Sequence, residues 1–214
     1  MPYLPYAERV IEFYSKENSP LSPLEALEEF KVLSGSYKDG DPWYEDRCRL
    51  FFDYLVFDHP SPPLRSILHR YFLENIEKIK REDLIDVYRG LLASLSSVFG
   101  ILKIGRGSVI LRDLIGKARY RVTLPEGAYS FNDGNVINAR IIPLRGELIL
   151  GQGILLHPDE ASGFILRLIE DLRQQRLLSW KSFHLLARMK LQHDVSPSFK
   201  LSSIYSTKSF LIQR

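Results

Sequence analysis

The chain has 214 residues, of which 45% are hydrophobic and 26% are charged, and its formal net charge is +3. These proportions are those of an ordinary globular protein, so they exclude disordered and fibrous classes, and the length suffices to bury the core of one domain or slightly more. The only cysteine is Cys48, which excludes an internal disulfide.

Neither a signal sequence nor a membrane-spanning helix is expected. The N-terminus reads M-P-Y-L-P-Y-A-E-R-V and has no basic start followed by an apolar run. No stretch contains 18 uninterrupted apolar residues. Together with the single cysteine, these features predict a cytoplasmic protein, because a reducing compartment leaves thiols unpaired.

The net charge is negative in the first part of the chain and positive in the rest. Lys and Arg number 12 against 17 Asp and Glu in residues 1–98, 8 against 4 in residues 99–156, and 9 against 5 in residues 157–214. This asymmetry could serve an anionic partner, self-association or intramolecular complementarity. It could also reflect solvated surfaces that have no dedicated partner.

Apolar residues at helical spacing predict an N-terminal helical layer over residues 1–98. Ser22, followed by Pro23 and Glu25, has the pattern of a capping box at the start of a helix. The run F-F-D-Y-L-V-F-D is apolar on most sides and predicts a central, buried helix. A further helix is expected from Arg81 to Ser97.

The middle of the chain, residues 99–156, predicts a small five-stranded antiparallel, barrel-like sheet. Five short aliphatic runs are separated there by glycines and other turn residues. Gly116 is predicted to supply a positive φ in a hairpin, and Asp133-Gly134 is predicted to form a type I′ turn.

Residues 157–214 predict a C-terminal helical cap with a tail that docks as an extended segment. The segment from Arg167 to Lys190 has six basic residues on an amphipathic pattern. This pattern indicates either that its apolar side packs on the helices before the barrel, or that it binds a membrane surface, a calmodulin-like clamp or nucleic acid. The fold class is therefore α+β, with the three regions forming one compact unit.

Four runs of the central block carry a family resemblance. They read L-F-F-D-Y-L-V-F-D-H-P, L-L-A-S-L-S-S-V-F-G-I-L-K-I, S-V-I-L-R-D-L-I-G-K-A-R-Y-R-V and G-N-V-I-N-A-R-I-I-P-L-R-G-E-L-I-L-G-Q-G-I-L-L-H-P. The block, about residues 48–160, resembles uncharacterised bacterial proteins that often carry a SEC-C metal-binding motif. The resemblance implies the succession of helices and strands but no activity, because that family has none assigned.

Two features depart from the pattern of that family. Tyr54 stands where a tryptophan is usual, and the cysteine-rich zinc tail is absent, since Cys48 is the only cysteine. The metal binding of that tail is therefore not carried over to this chain.

Arginines on the predicted strands are candidates for nucleic-acid binding. Strand alternation puts Arg119 and Arg121 on one face. If Arg140 joined them, the barrel would present a basic patch on which Tyr120 or Tyr129 could stack a base. The full candidate set is Arg119, Arg121, Arg140, Arg145 and Tyr120. The alternative is that these arginines are solvated and balance inward apolar neighbours.

Four further residues are candidates for binding a protein partner: Arg112, Asp113, Arg176 and Lys181. Arg112 and Asp113 could form a recognition pair at the tip of a hairpin. The alternative for Asp113 is structural, because aspartates in short turns commonly accept backbone hydrogen bonds.

The sequence contains no recognisable catalytic or metal-binding motif. The five histidines lie far apart without metal-ligand spacing, and no nucleophile elbow, P-loop or dinucleotide fingerprint occurs. We therefore expect no catalytic residues, metal or cofactor. The favoured hypothesis is a non-enzymatic interaction or adaptor protein with an unknown protein partner. The alternatives are a nucleic-acid-binding protein and a hydrolase or transferase with a site where barrel and helices meet.

Overall fold

A computed structural model describes residues 1–16, 22–61, 64–124, 130–179 and 181–213. Within those ranges, six α-helices precede the strands: α1 (Leu4–Lys16), α2 (Pro23–Ser34), α3 (Tyr44–Asp53), α4 (Ile67–Glu74), α5 (Ile76–Arg81) and α6 (Ile85–Leu92). Four follow the strands: α7 (Ser162–Gln174), α8 (Lys181–Val195), α9 (Leu201–Ile204) and α10 (Thr207–Gln213).

The strands between the two helical layers are β1 (Leu95–Gly105), β2 (Ser108–Asp113), β3 (Arg119–Thr123), β4 (Val136–Leu144), β5 (Glu147–Leu150) and β6 (Leu155–Leu156). They are hydrogen-bonded in the order β1-β2-β3-β5-β4, and β4 also pairs with β1, which closes a five-stranded barrel. The predicted α+β fold with a small barrel is confirmed. The strands pair antiparallel except for β3 and β5, which run parallel where Thr123 meets Ile149.

Strand β4 is buried on both of its sides. Ile137, Ala139 and Ile141 belong to the apolar cluster inside the barrel. On the outer side, Val136 packs with the C-terminal helices and Ile142 packs with the N-terminal helices. Because successive side chains of a strand point to opposite sides, this one strand contributes to three clusters of the core.

Helix α3 continues into a π-helical turn, Tyr54–Asp58. In an α-helix, residues five positions apart point roughly 140° away from each other. Bonding between residues five apart instead brings such residues towards the same side of the helix. Consequently Asp53 and Asp58 both line the space beside Arg140 of β4.

The C-terminal tail docks against the body as predicted, although it forms the short helices α9 and α10 rather than an extended segment. Ile204, Tyr205 and Phe210 are buried in one cluster with residues of α7 and α8. Their apolar surface is therefore part of the core.

A buried chain of hydrogen bonds ties this tail to the barrel. The amide group of Asn138 donates to the carbonyl of Phe183 at 2.7 Å, so its Oδ1 accepts from Nε2 of His157 at 2.9 Å. The remaining ring nitrogen, Nδ1, therefore accepts from the Tyr205 hydroxyl at 2.9 Å. Burial lowers the pKa of His157 to about 3, because the charged ring would lose its hydration.

Two predicted turns differ from the observed ones. Between β2 and β3 the positive φ belongs to Lys117 (68°), not to Gly116. Gly116 is required for space instead, since a Cβ there would lie 2.4 Å from the Asp113 carboxylate. The type I′ turn is Arg145-Gly146, with φ values of 50° and 84°, whereas Asp133-Gly134 has a positive φ only at the glycine.

Two helix predictions also need correction. The expected helix over residues 81–97 is interrupted at Asp83, which has a positive φ of 55°, and β1 begins at Leu95. The capping box does not form: Ser22 is the N-cap residue of α2, but its side chain makes no hydrogen bond to the helix.

Gly90 is the position at which α6 approaches β4 most closely. A Cβ at Gly90 would lie 2.1 Å from the carbonyl oxygen of Pro143. We therefore expect Gly90→Ala to lower the free energy of unfolding by about 2 kcal/mol, as overpacking does. The control is Gly163→Ala in α7, where nothing lies within 4 Å. That variant should be stabilised by up to about 1 kcal/mol, since alanine favours helix. Urea unfolding of both variants measures this, and equal stabilities would contradict it.

Candidate functional site

The outer surface of β1, β2 and β3 is the part of the barrel wall that carries exposed side chains along its strands. The outward residues of β4, in contrast, are covered by both helical layers. In β2 and β3 buried residues alternate with exposed ones, so one side of each strand faces solvent. We call this surface the β1–β3 face and define it by Lys103, Ile110, Arg112, Arg119 and Arg121.

Strand register brings these five side chains together. Ile110 pairs with Lys103 of β1 on one side and with Arg121 of β3 on the other. In the next outward row, Arg112 pairs with Arg119. Residues that pair directly across a sheet share one face, so four cations surround one isoleucine. A bulge at Leu102 shifts the register of β1 and turns Lys103 onto this face.

The electrostatics of the β1–β3 face are those of a site for an anion. Lys103, Arg112, Arg119 and Arg121 are all exposed. Among the described residues, none of the four has an acidic partner within ion-pair distance. Like charges on paired residues repel each other, and an anionic ligand would relieve this repulsion.

Apolar side chains are exposed beside these cations. Leu102 and Ile110 retain 40% and 36% of their accessible surface. The face therefore offers aliphatic contacts as well as charge. It offers no aromatic ring for stacking within the described residues, because the exposed outward positions of these strands are aliphatic, cationic or small.

Arg140 does not join Arg119 and Arg121, contrary to the expectation from sequence. Its guanidinium is buried on the opposite side of the barrel, where it is ion-paired with Asp58 and donates to Ser94 Oγ at 3.0 Å. It also lies 4.5 Å from the centre of the Phe57 ring. This arginine is engaged at the junction with the helices because β4 is the covered strand.

Tyr120 is also displaced from the predicted patch. It lies between Arg119 and Arg121, so the alternation of β3 turns it towards the barrel interior, where its ring packs edge-on against Phe99 at 6.2 Å. Arg145 is exposed at the turn between β4 and β5 and donates to the Tyr6 hydroxyl at 3.1 Å. Tyr129 lies outside the described residues.

The predicted partner-binding residues are dispersed. Arg112 belongs to the β1–β3 face, but Asp113 points inward and is buried. Its carboxylate accepts hydrogen bonds from Ser97 at 2.6 Å and from the Ile115 amide at 2.9 Å, which is a structural role. Arg176, with a φ of 57°, follows the end of α7, and Lys181 begins α8.

The junction between the barrel and the helices contains buried carboxylates. Asp53 accepts hydrogen bonds from the Tyr3 hydroxyl at 2.9 Å and from the Gly153 amide at 3.0 Å. Burial raises its pKa to about 6, partly countered by the nearby Arg140. These contacts hold elements of the fold together, so the hydrolase or transferase hypothesis gains no set of reactive groups here.

Metal-binding clusters and membrane-spanning helices are absent from the residues that the structure describes. Across the described ranges, no group of three or more potential metal-ligating side chains converges. Within the same ranges, no helix combines the length and the apolar character needed to cross a bilayer.

Sequence reasoning found three of the five residues of the β1–β3 face, namely Arg112, Arg119 and Arg121. It missed Lys103 and Ile110. Alternation along β2 relates Ile110 to Arg112 and could have found it. No comparable signal exists for Lys103, because the bulge at Leu102 shifts it by one position.

Comparisons with known proteins give one match. The search of curated proteins and the search of solved structures each found no significant match. The scan against family models matched residues 10–189 to a family described as a family of unknown function, DUF7986. Since this match spans most of the chain, the protein belongs to the DUF7986 family.

Proposed function

We propose that the protein binds single-stranded nucleic acid on the β1–β3 face. The observation that carries this proposal is the set of four exposed cations, Lys103, Arg112, Arg119 and Arg121, without acidic partners among the described residues. Contacts of Lys and Arg with phosphates supply most of the affinity of sequence-independent nucleic-acid binding. A curved strand surface with two adjacent cationic rows can follow such a backbone.

The architecture of the barrel supports the same proposal. Closed or nearly closed five-stranded Greek-key barrels include the OB-fold, which binds oligonucleotides and oligosaccharides on strands 2 and 3 and on the loops between strands 1 and 2 and strands 4 and 5. In this barrel, strands 2 and 3 carry Arg112, Arg119 and Arg121, and the corresponding loops carry Arg106 and Arg145. Since a fold alone does not specify a function, the charged side chains remain the main support.

The salt dependence of binding tests the proposal. A labelled deoxythymidine oligomer should bind with micromolar affinity, measured by fluorescence anisotropy at salt concentrations from about 50 to about 200 mM. If four cations contact phosphates, the logarithm of the affinity should fall with the logarithm of the salt concentration with a slope of about −3. An affinity that does not change with salt would contradict the proposal.

Single substitutions locate the binding surface. Arg119→Gln and Arg121→Gln should each weaken binding and make the slope less steep by about 0.7, the contribution of one phosphate contact to single strands. The matched control is Arg167→Gln, which removes an equally exposed arginine from α7. If the control weakens binding as much as the two variants, only net charge matters and the β1–β3 face is not the site.

A protein partner on the same face is the second candidate, which would make the protein an adaptor. The exposed aliphatic residues Leu102 and Ile110 favour it, because aliphatic side chains bury well against an apolar partner but stack poorly on bases. Affinity purification from native lysate should then recover a stoichiometric protein that Ile110→Asp releases. Recovery of no stoichiometric protein would count against this candidate.

We also propose a cytoplasmic location, which the single Cys48 supports.

A further inference from the structure

A cavity of about 490 Å³ lies on the side of the barrel opposite to the β1–β3 face. It opens between the π-helical turn, the start of α4, the end of α6 and strand β4. Its walls are mainly apolar and its floor is polar. The lining residues that matter are Phe57, Pro60, Leu92, Arg65, His69 and Arg140. This volume is in the range of pockets that hold small organic ligands.

Arg140 forms the charged floor of this cavity, and its side chain is almost completely buried. Two of its nitrogens are used, one by Asp58 and one by Ser94. Its Nε is buried and has no hydrogen-bond partner among the described residues. A guanidinium has five N–H donors, so Arg140 is held in place by two protein contacts and still has donors to offer.

Positive charge exceeds negative charge around the cavity. Arg65 is an exposed residue at its rim, and Asp58 is the acidic residue among its lining side chains. His69 completes the rim, with its Nδ1 bonded to Ser66 Oγ at 3.0 Å. Desolvation, followed by the nearby Arg65, lowers the pKa of His69, so the ring is neutral at physiological pH and the net charge of the lining is positive.

From this arrangement we infer that the cavity binds a small organic anion, with an apolar body against Phe57, Pro60 and Leu92 and a carboxylate or phosphate group on Arg65 and Arg140. Arginine suits either group, because its planar donors match both in bidentate geometry. Phe57, Pro60 and Leu92 exclude water from one side of the cavity, which strengthens the ionic contact. This site is independent of nucleic-acid binding on the β1–β3 face.

Three probes of equal chain length test the inference: octanoate, octyl phosphate and octanol. Isothermal titration of the 214-residue chain should show that at least one of the two anions binds about tenfold or more tightly than octanol, as expected for a charge-assisted hydrogen bond. The comparison of octanoate with octyl phosphate identifies the preferred head group. Failure of both anions to bind, or equal affinity for octanol, would overturn the inference.

Variants assign the binding to this cavity. Arg65→Gln should reduce the preference for the anion over octanol several-fold, and it leaves the fold intact because Arg65 is exposed. Arg89→Gln is the matched control, since Arg89 is exposed on α6 and does not line the cavity. Equal effects of the two variants would overturn the assignment. Affinity for the deoxythymidine oligomer should be unchanged in both, which separates this test from that of the β1–β3 face.

Discussion

Arg47→Ala is expected to lower the free energy of unfolding by about 4 kcal/mol, because this buried arginine joins two helices through backbone contacts. Its guanidinium donates to the carbonyl of Ser34 at 3.0 Å and to the carbonyl of Ala187 at 2.8 Å. Burial lowers its pKa to about 10, which still leaves it charged at neutral pH. Alanine would take a donor from the Ser34 carbonyl at the end of α2 and from the Ala187 carbonyl within α8, and it would leave a cavity between α2, α3 and α8.

Two further variants separate the contributions of this arginine. Arg47→Met fills most of the volume but donates no hydrogen bond, so about half of the loss should remain. Arg49→Ala removes an arginine from the same helix, where it forms exposed ion pairs with Glu45 and Asp46. Such pairs contribute little, so this control should lose less than about 1 kcal/mol. Urea unfolding measures all three, and similar stabilities for the two alanine variants would refute the prediction.

Acidification from about pH 7 to about pH 5 is expected to cost about 2 kcal/mol of stability. Burial lowers the pKa of His157 to about 3 and that of His184 to about 4. In the unfolded chain both titrate near their ordinary value of 6.5, so below that pH the unfolded state binds protons that the folded state does not. Each histidine then removes up to about 1.4 kcal/mol per pH unit.

Asp53 acts in the opposite direction. Its pKa is raised to about 6 in the folded state. Folded Asp53 therefore takes up a proton near pH 6, whereas Asp53 of the unfolded chain takes one up only near the lower, ordinary pKa of an aspartate. This uptake stabilises the folded state at low pH and offsets part of the loss caused by the two histidines. The net loss stated above includes this compensation.

Removal of one histidine tests the assignment. In His157→Gln, the loss of free energy of unfolding between about pH 7 and about pH 5 should shrink to roughly 0.5 kcal/mol, because one of the two titrating histidines is gone. The measurement is the urea midpoint across this pH range, together with an NMR titration of the His157 ring, which should remain neutral above about pH 4. A midpoint of the natural protein that stays constant with pH would refute the argument.

The barrel could be predicted from sequence because its strands are short aliphatic runs separated by turn residues. The placement of Arg119 and Arg121 on one face followed from the two-residue period of a strand. The same period should have excluded Tyr120 from that face. The burial of Arg140 could not be foreseen, since alternation defines two sides of β4 but not what covers them. The π-helical turn that brings Asp58 to Arg140 also has no signal in the local sequence.

The two walls of the barrel have unequal freedom to change during evolution. Substitutions on β4 must satisfy the barrel interior and both helical layers at once, since Ile137, Val136 and Ile142 each belong to a different cluster. Substitutions of the outward residues of β2 and β3 meet only solvent. Substitution of Arg112, Arg119 or Arg121 can therefore change the charge of the β1–β3 face while the packing of the barrel stays the same.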